Sequence, residues 1–135
     1  MGLRLSKLMV IVVILVILAP FVINPWEPID RNEASQEKAK TNIAALDTAL
    51  EMYKVHNGTH PTTEQGLYAL IESPVGAKNW KGPYLKKRKI LKDPWDNDFV
   101  YLSPGIHGAF NITSYGADGT PEGEGFKGDI HNWEI

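Results

Sequence analysis

LMVIVVILVILAPFVI, residues 8–23, holds no charged side chain. With the uncharged tail to Trp26 it approaches the roughly 20 apolar residues that a helix needs to cross a bilayer. A core helix of a soluble domain alternates apolar and polar faces every turn. This run is apolar all round, so it demands burial on every side, in a membrane or in the core of a fibre. After Glu27 the composition becomes that of an ordinary soluble domain. The chain therefore reads as an anchor, residues 1–29, followed by a small head, residues 30–135.

The charges around the run set its direction. Arg4 and Lys7 precede it, and Glu27 and Asp30 follow it. The positive-inside rule puts Met1 in the cytoplasm and the head across the membrane. The rival reading is a cleaved secretory signal, which needs a small-x-small site after the apolar run. Ala19-Pro20-Phe21-Val22-Ile23-Asn24-Pro25 offers none, so the anchor is expected to be retained. Pro20 should kink the helix, because it lacks an N–H and clashes with the preceding turn.

The head is expected to form one domain with a modest core. The 135-residue chain has a formal net charge of −2 at pH 7, which argues against a dedicated nucleic-acid binder. It has no cysteine, which removes disulfides, thiolate metal sites and cysteine nucleophiles. A small head outside the cytoplasm must then be stabilised by assembly or by a metal.

Residues 33–56 form the clearest helix of the head. Ile43, Leu46, Leu50 and Tyr53 recur at helical spacing, with Glu37, Lys38, Lys40, Asp47 and Glu51 toward the polar side. Asp30 or Asn32 suits the N-cap, and Gly58 suits a left-handed C-terminal cap. Thr62 and Gln65 have capping-box spacing, which predicts a short helix over 63–71 burying Leu67, Leu70 and Ile71. Trp80 and Tyr84 lie in a turn that carries aromatics into the core. Residues 99–101 and 109–113 have strand composition and should pair antiparallel. The fold class is α+β, a long helix packed on a small antiparallel sheet.

No enzyme constellation is present. Ser103 and Ser114 lack a G-x-S-x-G elbow. His56, His60, His107 and His131 lack metal-ligand spacing, and His60 reads as an exposed turn residue. The basic run Lys86-Lys87-Arg88-Lys89-Ile90-Leu91-Lys92 reads as a solvated face or as a patch for phosphate, lipid headgroups or an acidic neighbour. Asp93-Pro94-Trp95-Asp96-Asn97-Asp98 reads as a turn.

The chemistry lies in SYGADGTPEGEGFKGDIHNW, residues 114–133. It has five glycines and four acids, Asp118, Glu122, Glu124 and Asp129. Hard oxygen ligands on a bend-tolerant backbone suit Ca²⁺, which takes six to eight oxygens. The spacing is not that of an EF-hand, and a solvent-exposed acidic turn is the plain alternative. Ile130 and Trp133 have core character, so the loop must be pinned back to the domain. A cation bridging Asp118 and Asp129 would do that.

Pro61-Thr62-Thr63-Glu64-Gln65-Gly66-Leu67, Asn79-Trp80-Lys81-Gly82-Pro83-Tyr84-Leu85-Lys86-Lys87, Asp93-Pro94-Trp95, Ser103-Pro104-Gly105 and Ser114-Tyr115-Gly116-Ala117-Asp118-Gly119 occur in this order, followed by Asp129-Ile130 and Asn132-Trp133. Together they resemble the major pseudopilins of bacterial type II secretion systems, within the pilin-like superfamily. The resemblance implies a long N-terminal helix whose first half spans the membrane. It implies a single-pass inner-membrane subunit that assembles with copies of itself into a periplasmic fibre. That fibre drives folded proteins across the outer membrane. Minor pseudopilins and an inner-membrane platform are the implied partners, with no nucleic acid. The resemblance also implies Ca²⁺ held by the Asp118 and Asp129 side chains and the Tyr115 carbonyl, with Glu124 and a carbonyl near Thr120 as further ligands.

The N-terminus departs from the family. The family has glycine, then phenylalanine, then a glutamate four residues beyond the phenylalanine. Here Gly2 precedes Leu3, and Lys7 takes the glutamate position. That glutamate is thought to neutralise a neighbour's N-terminal amine in the apolar fibre core. Lys7 would set two cations together in low dielectric, at a cost of several kcal/mol if unpaired. Cleavage after Gly2 and N-methylation of Leu3 therefore stay open. So do two other readings: a tethered pilin-like binding module that does not polymerise, and a DNA-uptake or adhesion pilin that uses the basic run.

Overall fold

A computed structural model describes residues 31–123 and 128–135 of the chain. The expected membrane run and the processing residues Gly2 and Leu3 lie outside the described residues. Among those described, no helix is long and apolar enough to cross a membrane.

The head is built on one helix, α1, Arg31–Asn57. Its inner face is the expected stripe of Ile43, Leu46, Leu50 and Tyr53, widened by Ala39 and Ala49, all buried. Asn32 lies within the first turn of α1 and is not its N-cap. The C-terminus closes as expected. Gly58 takes φ +85°, and its N–H donates to the Lys54 carbonyl at 2.7 Å. A side chain there would be strained, since the left-handed region crowds a Cβ.

Three short strands form one antiparallel sheet, ordered β1-β2-β3. They are β1 Val100–Leu102, β2 Asn111–Ser114 and β3 Ile130–His131. Tyr101 faces Ile112 across the first pair, and Ser114 faces Ile130 across the second. All four residues of β2 are buried, as expected of a central strand covered on both faces. Ile112 and Ile130 join the α1 stripe in one apolar cluster with Leu67, Leu70, Leu85, Leu91, Phe99, Tyr101 and Phe110. Each fully buried aliphatic side chain contributes about 1.5–3 kcal/mol.

The chain between helix and sheet wraps this core in turns. Thr62 and Gln65 make the reciprocal capping contacts: the Thr62 N–H donates to Gln65 Oε1 at 2.9 Å, and the Gln65 N–H donates to Thr62 Oγ1 at 3.2 Å. The helix expected over 63–71 does not follow. Gly66 takes φ +64°, which no helix contains, and only the 3₁₀ turn Leu67–Leu70 forms beyond it. Leu67 and Leu70 are nonetheless buried, and Ile71 packs against the core half-buried. Trp80 donates its indole N–H to the Ala69 carbonyl at 2.8 Å and lies over Gly82. A Cβ on Gly82 would stand 2.4 Å from that ring.

His60 is the other correction. Its side chain is only 7% exposed and lies 2.9 Å from Glu51 Oε1. The Phe110 ring meets it edge-on with centroids 4.8 Å apart. The sequence cannot show this, because the covering ring arrives 50 residues later. The Lys86, Lys87, Arg88, Lys89 and Lys92 side chains stay exposed, while Leu91 is buried. Arg88 pairs with Glu72.

Candidate functional site

The acidic loop leaves the sheet at the end of β2. Ser114 is fully buried there. Tyr115, half-buried, leads into the 3₁₀ turn Gly116–Asp118, which closes on Gly119 with φ +66°. The exposed Asp118 carboxylate folds back on its own backbone: Oδ1 accepts the Thr120 N–H at 3.2 Å. This Asx turn aims the carboxylate along the loop. Glu122 takes φ +70°, an uncommon conformation for a residue with a long side chain. Its N–H donates to Asp129 Oδ2 at 3.1 Å, which draws the two arms of the loop together just before β3.

Of the five expected ligand residues, Tyr115, Asp118, Thr120 and Asp129 fall on the two arms of this loop. Glu124 lies outside the described residues. Asp118 and Asp129 accept hydrogen bonds from different parts of the loop, the Thr120 and Glu122 N–H groups. No group of three or more His, Asp or Glu side chains is gathered to hold a metal among the described residues. Two carboxylates therefore need backbone carbonyls to complete a hard-cation shell, as Ca²⁺ tolerates.

One atom tests the fit. Asp129 Oδ1 is buried and has no hydrogen-bond partner among the described residues. A sealed carboxylate oxygen left unpaired costs free energy. A cation at that oxygen would supply the missing partner. With an oxygen-only donor set on a glycine-rich backbone, the residues present fit Ca²⁺.

The sequence reading missed what lies beneath the loop. Asp93 is buried, with its carboxylate bound to Ser114 Oγ at 2.8 Å. Its Oδ1 also accepts the Trp95 and Asn97 N–H groups, at 3.1 and 2.9 Å. The only sequence signal was the turn composition of residues 93–98.

The histidines are otherwise engaged. His56 Nδ1 lies 2.9 Å from the Tyr84 hydroxyl, and His131 Nδ1 lies 2.9 Å from Thr113 Oγ1. His107 and His131 each stack on Trp133, with ring centroids 4.2 Å apart in both pairs. Burial pushes the Tyr101 hydroxyl up to about 12, and that hydroxyl donates to the Pro61 carbonyl at 2.8 Å. Asp47 is raised by burial and by Glu51, against the lowering pull of His60.

A long helix on a three-stranded antiparallel sheet, closed by a glycine-rich acidic loop, is the architecture of a pilin-like subunit. The sequence pattern of the family described as Type II secretion system (T2SS), protein G, matches residues 29–133. The Type II secretion system core protein G of Vibrio cholerae is 47% identical over 99% of this chain and 92% of its own length. That of Pseudomonas aeruginosa is 44% identical over 98% and 94%. The crystal structure of the major pseudopilin from the type 2 secretion system of enterohaemorrhagic Escherichia coli superposes with a TM-score of 0.66 at 34% identity, covering 78% of this chain and 92% of that one. The chain belongs to the type II secretion system protein G family, the major pseudopilins, which is structural and not enzymatic.

Proposed function

We propose that this pseudopilin is the repeating subunit of a periplasmic fibre. Residues 1–29 root it in the inner membrane with Met1 cytoplasmic, and residues 30–135 form the periplasmic head. Copies pack through the apolar run 8–23. Fibre growth, powered through an inner-membrane platform and organised with minor pseudopilins, pushes folded proteins across the outer membrane. The observation that carries this reading is the 47% identity to a core protein G across 99% of the chain, anchor included.

Ca²⁺ is held in the loop by the Asp118 and Asp129 side chains and the Tyr115 carbonyl, with Glu124 and the Thr120 carbonyl as further ligands. When bound, the cation neutralises the two carboxylates. What supports this is the buried Asp129 Oδ1, which has no hydrogen-bond partner among the described residues. Asp118 and Asp129 stand on opposite arms of the loop, so holding both would tie residues 115–120 to the start of β3.

A second reading rests on Lys7. A cation at the position of the family's glutamate favours a tethered subunit that does not polymerise. The chain has no cysteine, so pairs of cysteines introduced into residues 8–23 report only on neighbouring anchors. Cross-linked ladders in cells carrying the secretion machinery are the result expected of a fibre. Cross-linked species absent from the native anchor but restored by Lys7→Glu would establish the second reading instead. Mass spectrometry of the extracted protein decides whether the chain is cleaved after Gly2 and methylated on Leu3.

A further inference from the structure

Asp93 is 5% exposed and is in no ion pair among the described residues. A buried carboxylate of this kind survives only if its oxygens are hydrogen-bonded. Three donors serve it, the Trp95 and Asn97 N–H groups on Oδ1 and the Ser114 hydroxyl on Oδ2. Ser114 passes the constraint on, because its Oγ accepts the Gly116 N–H at 3.3 Å. Gly116 opens the 3₁₀ turn that ends at Asp118. The same two segments also approach closely at a second point. A Cβ on Gly119 would lie 3.2 Å from both amide atoms of the Asn97 side chain. The turn at 93–97 thus touches the loop at its first and last steps, at Ser114 and at Gly119.

We propose that Asp93, Ser114 and Asn97 are positioning residues for the metal loop. They touch no cation themselves. They fix the path from Ser114 to Gly119, so that the Tyr115 carbonyl and the Asp118 carboxylate are already placed when Ca²⁺ arrives. This rests on the calcium reading above. Its physical basis is preorganisation: ordering done on folding is not charged again to binding. Groups that hold metal ligands in place are commonly worth 10–100-fold in affinity.

The test uses the full chain in detergent micelles, with Ca²⁺ affinity measured by competition with a chromophoric chelator and melting temperature measured in excess chelator. Ser114→Ala removes the shared hydroxyl. Asn97→Ala keeps the backbone N–H on Asp93 and removes only the side chain under Gly119, so it serves if the first variant does not fold. Ile43→Val, in the core stripe of α1, is the control for general destabilisation. Both loop-floor variants should bind Ca²⁺ about 10–100-fold more weakly, while Ile43→Val keeps the affinity of the unaltered chain even though it melts earlier. Unchanged affinity in the two floor variants overturns the proposal and leaves the calcium reading standing. An equal loss in Ile43→Val also overturns it, since affinity would then merely follow stability. If the unaltered chain binds no Ca²⁺, the calcium reading falls and takes the proposal with it.

Discussion

Exchanging Asp129 for asparagine should reverse its effect on stability between chelator and calcium. Asp129 Oδ2 accepts the Glu122 N–H, while Oδ1 is buried with no hydrogen-bond partner among the described residues. An unsatisfied buried polar atom costs about 1–3 kcal/mol, more if charged. Asn keeps an oxygen for Glu122 and removes the charge, so in chelator Asp129→Asn should melt at or above the unaltered chain. With Ca²⁺ the order inverts. A ligand at 100 times its dissociation constant stabilises the folded state by about 2.7 kcal/mol. For a head of this size that is roughly 10–20 °C in melting temperature. The variant loses one of the two described carboxylates proposed as ligands and should gain little. Calorimetric melts of both forms in micelles, across a Ca²⁺ titration, would show the two curves crossing. A variant that gains as much from Ca²⁺ as the unaltered chain would show that the Asp129 carboxylate is not a ligand.

Three further outcomes follow from the core and its titrating groups. Leu46→Ala, at a position with 0% exposure on α1, should cost about 2–5 kcal/mol by chemical denaturation. Tyr101→Phe removes the bond to the Pro61 carbonyl and should cost about 0.5–1.5 kcal/mol. Because the Tyr101 hydroxyl is raised from 10.0 to about 12, its contribution is present below pH 10 and is lost as pH rises through 12, so the margin of the unaltered chain over Tyr101→Phe should shrink across that window. Asp47 is raised above 3.8, so its folded form favours the proton; stability is greatest below that value and falls as pH rises through the higher folded one. Asp47→Asn should therefore melt slightly above the unaltered chain at neutral pH, by less than about 1 kcal/mol given its exposure, and show no gain in acid.

What the sequence made legible was whatever repeats locally. The stripe on α1 needs only the period of 3.6, and the Gly58 cap needs only one residue type at one place. The acids of the loop stand out by composition alone. The failures share a cause, which is dependence on a partner far along the chain. His60 becomes buried only when Phe110 and Glu51 close around it. Asp93 looks like any turn aspartate until Ser114 meets its carboxylate. The short helix expected over 63–71 failed differently: capping chemistry starts a helix, but Gly66 at φ +64° spends its freedom on a bend.

The sheet has a consequence for life at high concentration. Its two outer strands are three and two residues long, and an unpaired strand edge is a template on which another chain can add. Rims this brief offer a stray neighbour almost no ladder to extend. Copies of the head held at high local concentration can thus jostle without zipping into aggregates through their sheet edges.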